Sequence, residues 1–428
     1  MPQRAYGQLT YGDDTWGLGY TLGAPECLVE VQKADHSWAD VTCDVRSINT
    51  SRGRPDNLAD VSAGTATIVL ANFADLYSPW NDSSIWASNG RYQTDVPLRI
   101  SMVFGDGTST RIFTGTTDSV NDSWPNAGLD AQVTVQATDG FKLLTRANGL
   151  PLAVPVGEGE KTGARIQRWL GLTNWTTGTN MDPGAATVHA TALDSSALEG
   201  INQTAFNEGG FVFCGVDGDL IFHDRDSIDT YDRMINVQAR FVDQHPDGSD
   251  ATPWACYSDI VAAADETLLY NQAALAATGS VPQTASDATS VAWYGPRPFN
   301  DSHNIILADD NQVLTLAQLM VARFSDNEKR IDRIVIHPSQ TADGDAWWIA
   351  ANLRLIDRVY IERHMPGGHL LTDHLLIQGV SHQITATGTR TPIDWTITYA
   401  TASALPIGSH WDTPADSANG WDLSEFGV

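Results

Sequence analysis

Apolar and polar positions alternate along the chain from Cys27 onward. In "CLVEVQ", Cys27, Val29 and Val31 fall on one face and Leu28, Glu30 and Gln32 on the other, the period of a half-buried strand. "WADVTCDVRSINTSRGR" continues the pattern, with Val41, Cys43 and Val45 sharing a face. "GTATIVLAN" (64–72), "VPLRISMVF" (96–104), "STRIFTGTTDSV" and "AQVTVQATD" complete six strands, and Gly105-Asp106-Gly107 supplies a tight turn. Closely spaced strands with little helical period predict an antiparallel barrel or sandwich ending near Asn148.

The period then changes. "TGARIQRWLGL" (162–172) predicts a short helix, and "LDSSALEGINQTAFNEGG" a clearer one. In the latter, Asp194 is the expected N-cap, Leu198, Ile201, Ala205 and Phe206 form the apolar stripe, and Gly209-Gly210 stops the helix. "FVFCGVDGDLIFHDRD" predicts a hairpin turning at Asp217-Gly218. Further strands follow in "INVQARFV" and "LLYNQAALAATG", then a helix at 315–325 and a strand in "RIDRIVIHP". "WWIAANLRLIDRVYIERH" and the segment from His369 to Thr401 read as a β meander. The expected organisation is an arm at 1–23, a first β-barrel at 24–148, an α+β middle at 149–300, a second barrel with a helix at 301–402, and a tail at 403–428. The expected class is therefore mainly β with α+β insertions, two tube-like antiparallel barrels flanking the middle region.

Charge narrows the function. The 428 residues carry 52 Asp and Glu against 25 Lys and Arg, a net −27. Phosphate affinity comes from cationic side chains, so a general DNA-binding role is excluded. Cys27, Cys43, Cys214 and Cys256 form no C-x-x-C, which excludes a zinc ribbon or thioredoxin-like motif. Four buried thiols are expected, with a Cys27–Cys43 disulfide the alternative. The start has no apolar signal-peptide core, and no long apolar run could span a membrane. The chain reads as a soluble protein made in a cytoplasm.

Catalytic signatures fail to assemble. "GEGEKTGAR" (157–165) has Glu160 where a phosphate loop needs glycine. Neither G-x-S-x-G nor H-E-x-x-H occurs. His364, His369 and His374 lie five residues apart, but no further ligand pattern completes a metal set. The acids of "DGDLIFHDRD" (217–226) lack calcium-loop order. No enzyme activity, cofactor or metal is expected. Arg46, Arg52 and Arg54 lie close together ahead of a strand. They could hold an anion, but in so acidic a chain a sheet corner or subunit contact is the preferred role.

The order of these motifs carries a resemblance. A strand pair, "RGR", "AGTATIVLAN", "YSP", "VPLRISMVF" and "RIFTG" resemble the opening of minor tail proteins of actinobacterial siphophages, specifically the tail hub. Similar modules form the central hub of contractile-tail baseplates and the N-terminal part of tail-associated lysins. "ALEGINQTAFNEGGFVFCGVDGDLIFHDRD", "LLYNQAALAATG", "DATSVAWYGPR" and "LIDRVYIER…LIQGVSHQI…DWTITYAT" follow in the family's order, so the likeness spans about 25–402. The resemblance implies a homotrimer at the virion tail tip, assembled in the bacterial cytoplasm. It matches three-fold to six-fold symmetry and lets DNA pass its lumen without specific binding. Implied partners are the distal tail protein, the tape measure protein and other minor tail proteins, with no membrane insertion. The lysin or receptor-binding region of longer relatives is not expected. Arg52, Gly53, Arg54, Gly64, Asn72 and Pro79 are the expected structural or subunit-contact residues, with Gly53 allowing a positive-φ bend between the arginines. The alternatives are a hexameric distal tail ring, or a carbohydrate-binding or carbohydrate-hydrolysing tail-tip protein with Trp80, Trp86 and Trp175 as stacking platforms.

Overall fold

A computed structural model describes residues 24–404, apart from 56–57, 89, 148–153, 247–251, 265, 300–303, 327–328, 341–344 and 387. The expected arm and nearly all of the expected tail lie outside the described residues.

Fourteen strands form one large sheet. They are β1 Glu26–Gln32, β2 Trp38–Asp40, β3 Val45–Gly53, β4 Ser62–Ala71, β5 Pro97–Val103, β6 Ser109–Ser123, β7 Gln132–Thr138, β8 Ala239–Val242, β9 Trp254–Cys256, β10 Asp259–Ala263, β11 Arg330–Ile336, β12 Arg358–His364, β13 Leu370–Thr385 and β14 Asp394–Ser403. The main path runs β9-β8-β12-β13-β3-β4-β7-β6-β5-β1-β2, and a branch leads from β13 through β14 and β11 to β10. The N-terminal strands pair as hairpins because alternate residues have one buried face: Cys27, Val29 and Val31 are buried, as are Ala66, Ile68 and Leu70. One expected face is broken. Thr42–Asp44 is a 3-10 turn between β2 and β3, and it leaves Cys43 exposed. All four cysteines are free thiols, and Cys256 is half-buried.

The expected pair of separate barrels is replaced by one continuous sheet. Strand β13 is the reason. It is 16 residues long, pairing with β12 over Leu370–Leu376, with β3 over Gly379–Thr385, and with β14 along its other edge. A strand this long belongs to both halves. A single apolar core runs beneath them, from Val29 and Ile68 to Ile361 and Tyr399. The second half comes nearest to closure through 254–263. There β9 pairs with β8 and β10 pairs with β11, while Tyr257 and Ser258 between them donate to the carbonyls of Val242 and Val335.

Two smaller cores lie outside the sheet. Helices α1 Phe141–Arg146, α2 Thr162–Leu170 and α3 Ala197–Glu208 pack around the hairpin Phe211–Cys214/Leu220–His223. All four residues of the first hairpin strand are buried, because the hairpin is covered on both sides. Phe211 and Phe213 enter the main core, and Val212 and Cys214 enter the helical one. Ser196, not Asp194, caps α3, its Oγ accepting from the Glu199 N–H at 3.2 Å. Gly209 ends the helix at φ 71°. The third core packs α5 Asp310–Phe324 against a small sheet that contains Gln272–Leu275; α4, Ala288–Tyr294, lies nearby in sequence. "WWIAAN" is helical rather than extended: α6 spans Ala346–Asn352 and buries Ile349, Ala350 and Ala351.

Candidate functional site

The residues singled out by the sequence gather at two places along β3 and β4. The first is the seam between the two halves of the sheet. Gly53 faces Gly379 across β3 and β13, where Gln378 makes a bulge. The Arg54 N–H donates to the Gln378 carbonyl at 2.9 Å, and Arg54 Nε donates to Gln378 Oε1 at 2.7 Å. The Arg54 guanidinium lies 5.2 Å over the Phe211 ring, so this side chain joins the sheet seam to the hairpin. Gly53 has φ 94°.

Arg52 takes a different path and is buried. Burial, with Arg354 nearby, pushes its pKa down to about 10. Beside it, Gly64 is held where a Cβ would lie 2.5 Å from Asp139 Oδ2 and 2.9 Å from Arg52 Cγ. Asp139 accepts from the backbone N–H groups of Gly64 and Phe141 at 2.8 and 3.0 Å. Burial nevertheless pushes its pKa up to about 6, outweighing those bonds and Arg52. A carboxyl with a higher pKa folded than unfolded binds its proton more tightly when folded. Stability then falls as pH rises between 3.8 and about 6. Asp139→Asn removes that titration. Relative to the variant, the natural chain should lose on the order of 3 kcal/mol between pH 4 and pH 7, read from urea unfolding; a pH-independent difference would refute this account.

The second place is the loop after β4. The Asn72 N–H donates to the Ala131 carbonyl at 2.9 Å, and Asn72 Oδ1 accepts from the Tyr77 N–H at 3.1 Å. Trp86 is buried, with Nε1 donating to the Tyr77 carbonyl at 2.8 Å. Half-buried Pro79 lies in the turn that brings the Asn81 N–H to the Ser78 carbonyl. Ser78 Oγ donates to Asp122 Oδ2 at 2.7 Å, which ties this loop to the end of β6. Arg46 pairs with Asp130 at 2.6 Å and lies 5.5 Å over Phe73. The two tied turns leave a rim of exposed apolar side chains: Phe73, Leu76, Trp80 at 84% exposure, Trp124, and Leu129 at 83%. Asn72 and Pro79 shape this rim rather than cover it. Of the expected stacking platforms only Trp80 stands free, because Trp86 is core and half-buried Trp175 bonds the Gly178 carbonyl through Nε1. The three arginines therefore go to three environments and do not converge on one surface anion site.

The other chemical candidates are satisfied internally. Arg165 is fully buried and donates to the carbonyls of Val156, Gly157 and His189. Glu160 pairs with both Arg165 and Arg168, which closes the loop that resembles a phosphate cradle. His364 bonds Asp243 at 2.8 Å, and His374 stacks 5.0 Å from Tyr360. Among the described residues no cluster of three metal-ligating side chains occurs, and no helix is long and apolar enough to cross a membrane. At the end of the hairpin, Arg225 pairs with Glu208 at 3.0 Å and His223 with Asp182 at 3.1 Å. No motif in the sequence marks Glu208 as a structural centre. Gly379 inside a strand pattern was the available signal for the seam, and the exposed Leu129 of the β6–β7 turn had none.

No protein-family model matches the chain, and no curated protein matches its sequence. Solved structures do resemble it. The tail protein from Neisseria meningitidis MC58 aligns with a TM-score of 0.58 at 10% identity, covering 89% of this chain and 96% of its own. The 43 kDa tail protein of prophage MuSo2 from Shewanella oneidensis aligns with a TM-score of 0.53 at 11% identity, covering 89% of this chain and 100% of its own. At these identities the likeness is one of fold, and it extends over 89% of the chain.

Proposed function

We propose that the chain is a structural protein of a bacteriophage tail tip, a hub of which three copies form a ring. The observation that carries this reading is the fold shared with two tail proteins over 96% and 100% of their lengths. Each copy would bring two tube-like sheet halves, so three copies present six to a six-fold tail tube. The distal tail protein, the tape measure protein and other minor tail proteins are the neighbours this position implies. The net charge of −27 supports a lumen that repels phosphate, so DNA slides through without specific binding. The role is assembly rather than catalysis, and it needs no cofactor. Arg52, Gly53, Arg54 and Gly64 hold the seam between the halves, while Asn72 and Pro79 shape the rim that meets a neighbour.

Native mass spectrometry of the purified chain, alone and with its tail neighbours, tests the reading. A three-copy ring is expected. A six-copy ring would move the assignment to the distal tail ring, and a persistent monomer with every neighbour would remove it. The rim makes a separate prediction. Trp80→Ala combined with Leu129→Asp should weaken assembly about tenfold or more and leave the thermal midpoint unchanged, because neither side chain is buried within the chain. Unimpaired assembly would exclude the rim as the contact.

A further inference from the structure

The rim at the ends of β4, β6 and β7 is held in place from within. Ala71 and Ser123, the last residues of β4 and β6, both pair with Gln132, the first of β7, so the two rim loops leave the sheet from one row. In the first loop Asn81 Nδ2 donates to the Asp75 carbonyl at 2.6 Å, and the Ile85 N–H to the Leu76 carbonyl at 3.1 Å. In the second, the Gly128 N–H donates to the Pro125 carbonyl at 3.1 Å. Three of the six non-glycine residues with positive φ among the described residues lie here: Asp75, Asn126 and Ala127. Such a backbone persists only where its surroundings fix it. The exposed Leu76, Trp80 and Leu129 therefore stand on fixed loops, and covering them costs little ordering of the chain.

Around these apolar side chains the charge has one sign. Residues 72–86 and 121–131, the two loops with the end of β6, contain Asp75, Asp82, Asp122 and Asp130 and no Lys or Arg. Arg46 reaches in from β3 and balances Asp130 at 2.6 Å. The other three form no ion pair within 4.0 Å among the described residues. Asp75 and Asp82 are exposed, and half-buried Asp122 accepts from the neutral hydroxyl of Ser78. The rim is thus an apolar cluster framed by three carboxylates whose charge is not matched by a cation close by.

That frame selects the occupant. A second copy of the chain brings the same net −27, and like charges brought together oppose docking. Exposed ion pairs add little affinity of their own. Burial of Trp80 and Leu129 supplies the holding energy, while the carboxylates decide which partner is drawn in and how fast.

We propose that the rim docks a protein other than this chain, one whose contact face is an apolar recess framed by Lys and Arg. The inference rests on the tail-tip reading and names the chemistry of the neighbour met there. Surface plasmon resonance tests it, with the full chain immobilised and the distal tail protein, the tape measure protein and the other minor tail proteins flowed over it in turn. At least one should bind in a way that Trp80→Ala combined with Leu129→Asp weakens. Its association rate should fall about tenfold or more between ionic strengths of about 0.05 and 0.5 M. At the lower salt, Asp75→Asn combined with Asp82→Lys should slow association about tenfold and change dissociation little. Asparagine keeps the positive φ at position 75 accessible, and both side chains are exposed, so the thermal midpoint should not move. A salt-independent association rate of the natural chain overturns the proposal, as does a charge variant that binds as fast or faster. Rim contacts found only between copies of this chain, or no neighbour whose binding depends on Trp80 and Leu129, overturn it as well. Copy number keeps the two readings apart: a three-copy ring with a salt-insensitive rim removes this inference alone, and a ring of another number removes the hub reading whatever the rim's kinetics.

Discussion

Gly53→Val should leave most of the chain unfolded or aggregated at 37 °C, with a stability loss of about 4 kcal/mol or more. Two costs add. The backbone at Gly53 has φ 94°, a region a β-branched residue enters only with strain. A Cβ there would also lie 2.8 Å from Gly379 Cα and from Leu355 Cδ2, and closer still to the Gln378 carbonyl oxygen. The obstructing atoms are mainly backbone, so a rotamer change cannot relieve them. The β3–β13 pairing must shift instead, and a one-residue slip would turn Ile48 and Ile384 away from the core they now share. Gly53→Ala should show the same defect to a smaller degree. Soluble yield and circular dichroism melting report the effect, and a soluble valine variant melting like the natural chain would exclude this account of the seam.

Glu208→Ala should cost about 3–5 kcal/mol, the penalty for removing one partner of a buried ion pair. Glu208 is fully buried at the end of α3 and Arg225 is 3% exposed. One carboxylate accepts from Arg225 Nε at 3.0 Å, from Thr162 Oγ1 at 2.5 Å, and from the Ala185 and Ala186 N–H groups at 3.2 and 3.0 Å. It therefore joins α2, α3 and the segment after the hairpin. Alanine would remove the acceptor that these four donors share. Glu208→Gln keeps the shape and two acceptor lone pairs, so it should lose less. Urea midpoints of the three proteins should fall in the order natural chain, glutamine, alanine; an alanine variant within about 1 kcal/mol of the natural chain would show that relaxation or water replaces the carboxylate.

The strands most legible in the sequence were those with one wet face. β1, β4, β5, β6 and β7 each alternate buried positions with half-buried or exposed ones over most of their length, and each has a neighbour brought close by a hairpin or short connection. Legibility fell where both faces are covered. Around Gln378 six consecutive residues of β13 are buried, so period-2 alternation vanished and the bulge could not be placed by pattern. "WWIAAN" misled in the opposite way, since its aromatic and β-branched residues favour a strand locally, but packing of Ile349 and Ala350 on the core selects a helix. The longer start of α5 was within reach: Asp309 accepts from the Asn311 and Gln312 N–H groups, the cap that an acidic residue before a helical run predicts.

Local order thus came from sequence alone. Period, turn glycines and composition determined a mainly β chain, its hairpins, a helical insertion and its acidic balance, because each depends on residues a few positions apart or on composition. Tertiary structure alone decided that β3 pairs with β13 more than 300 residues away, that the halves share one core, and that Arg46, Arg52 and Arg54 part company. Pairing over such distances is chosen by which buried faces can close together, and nothing in either strand encodes its distant partner.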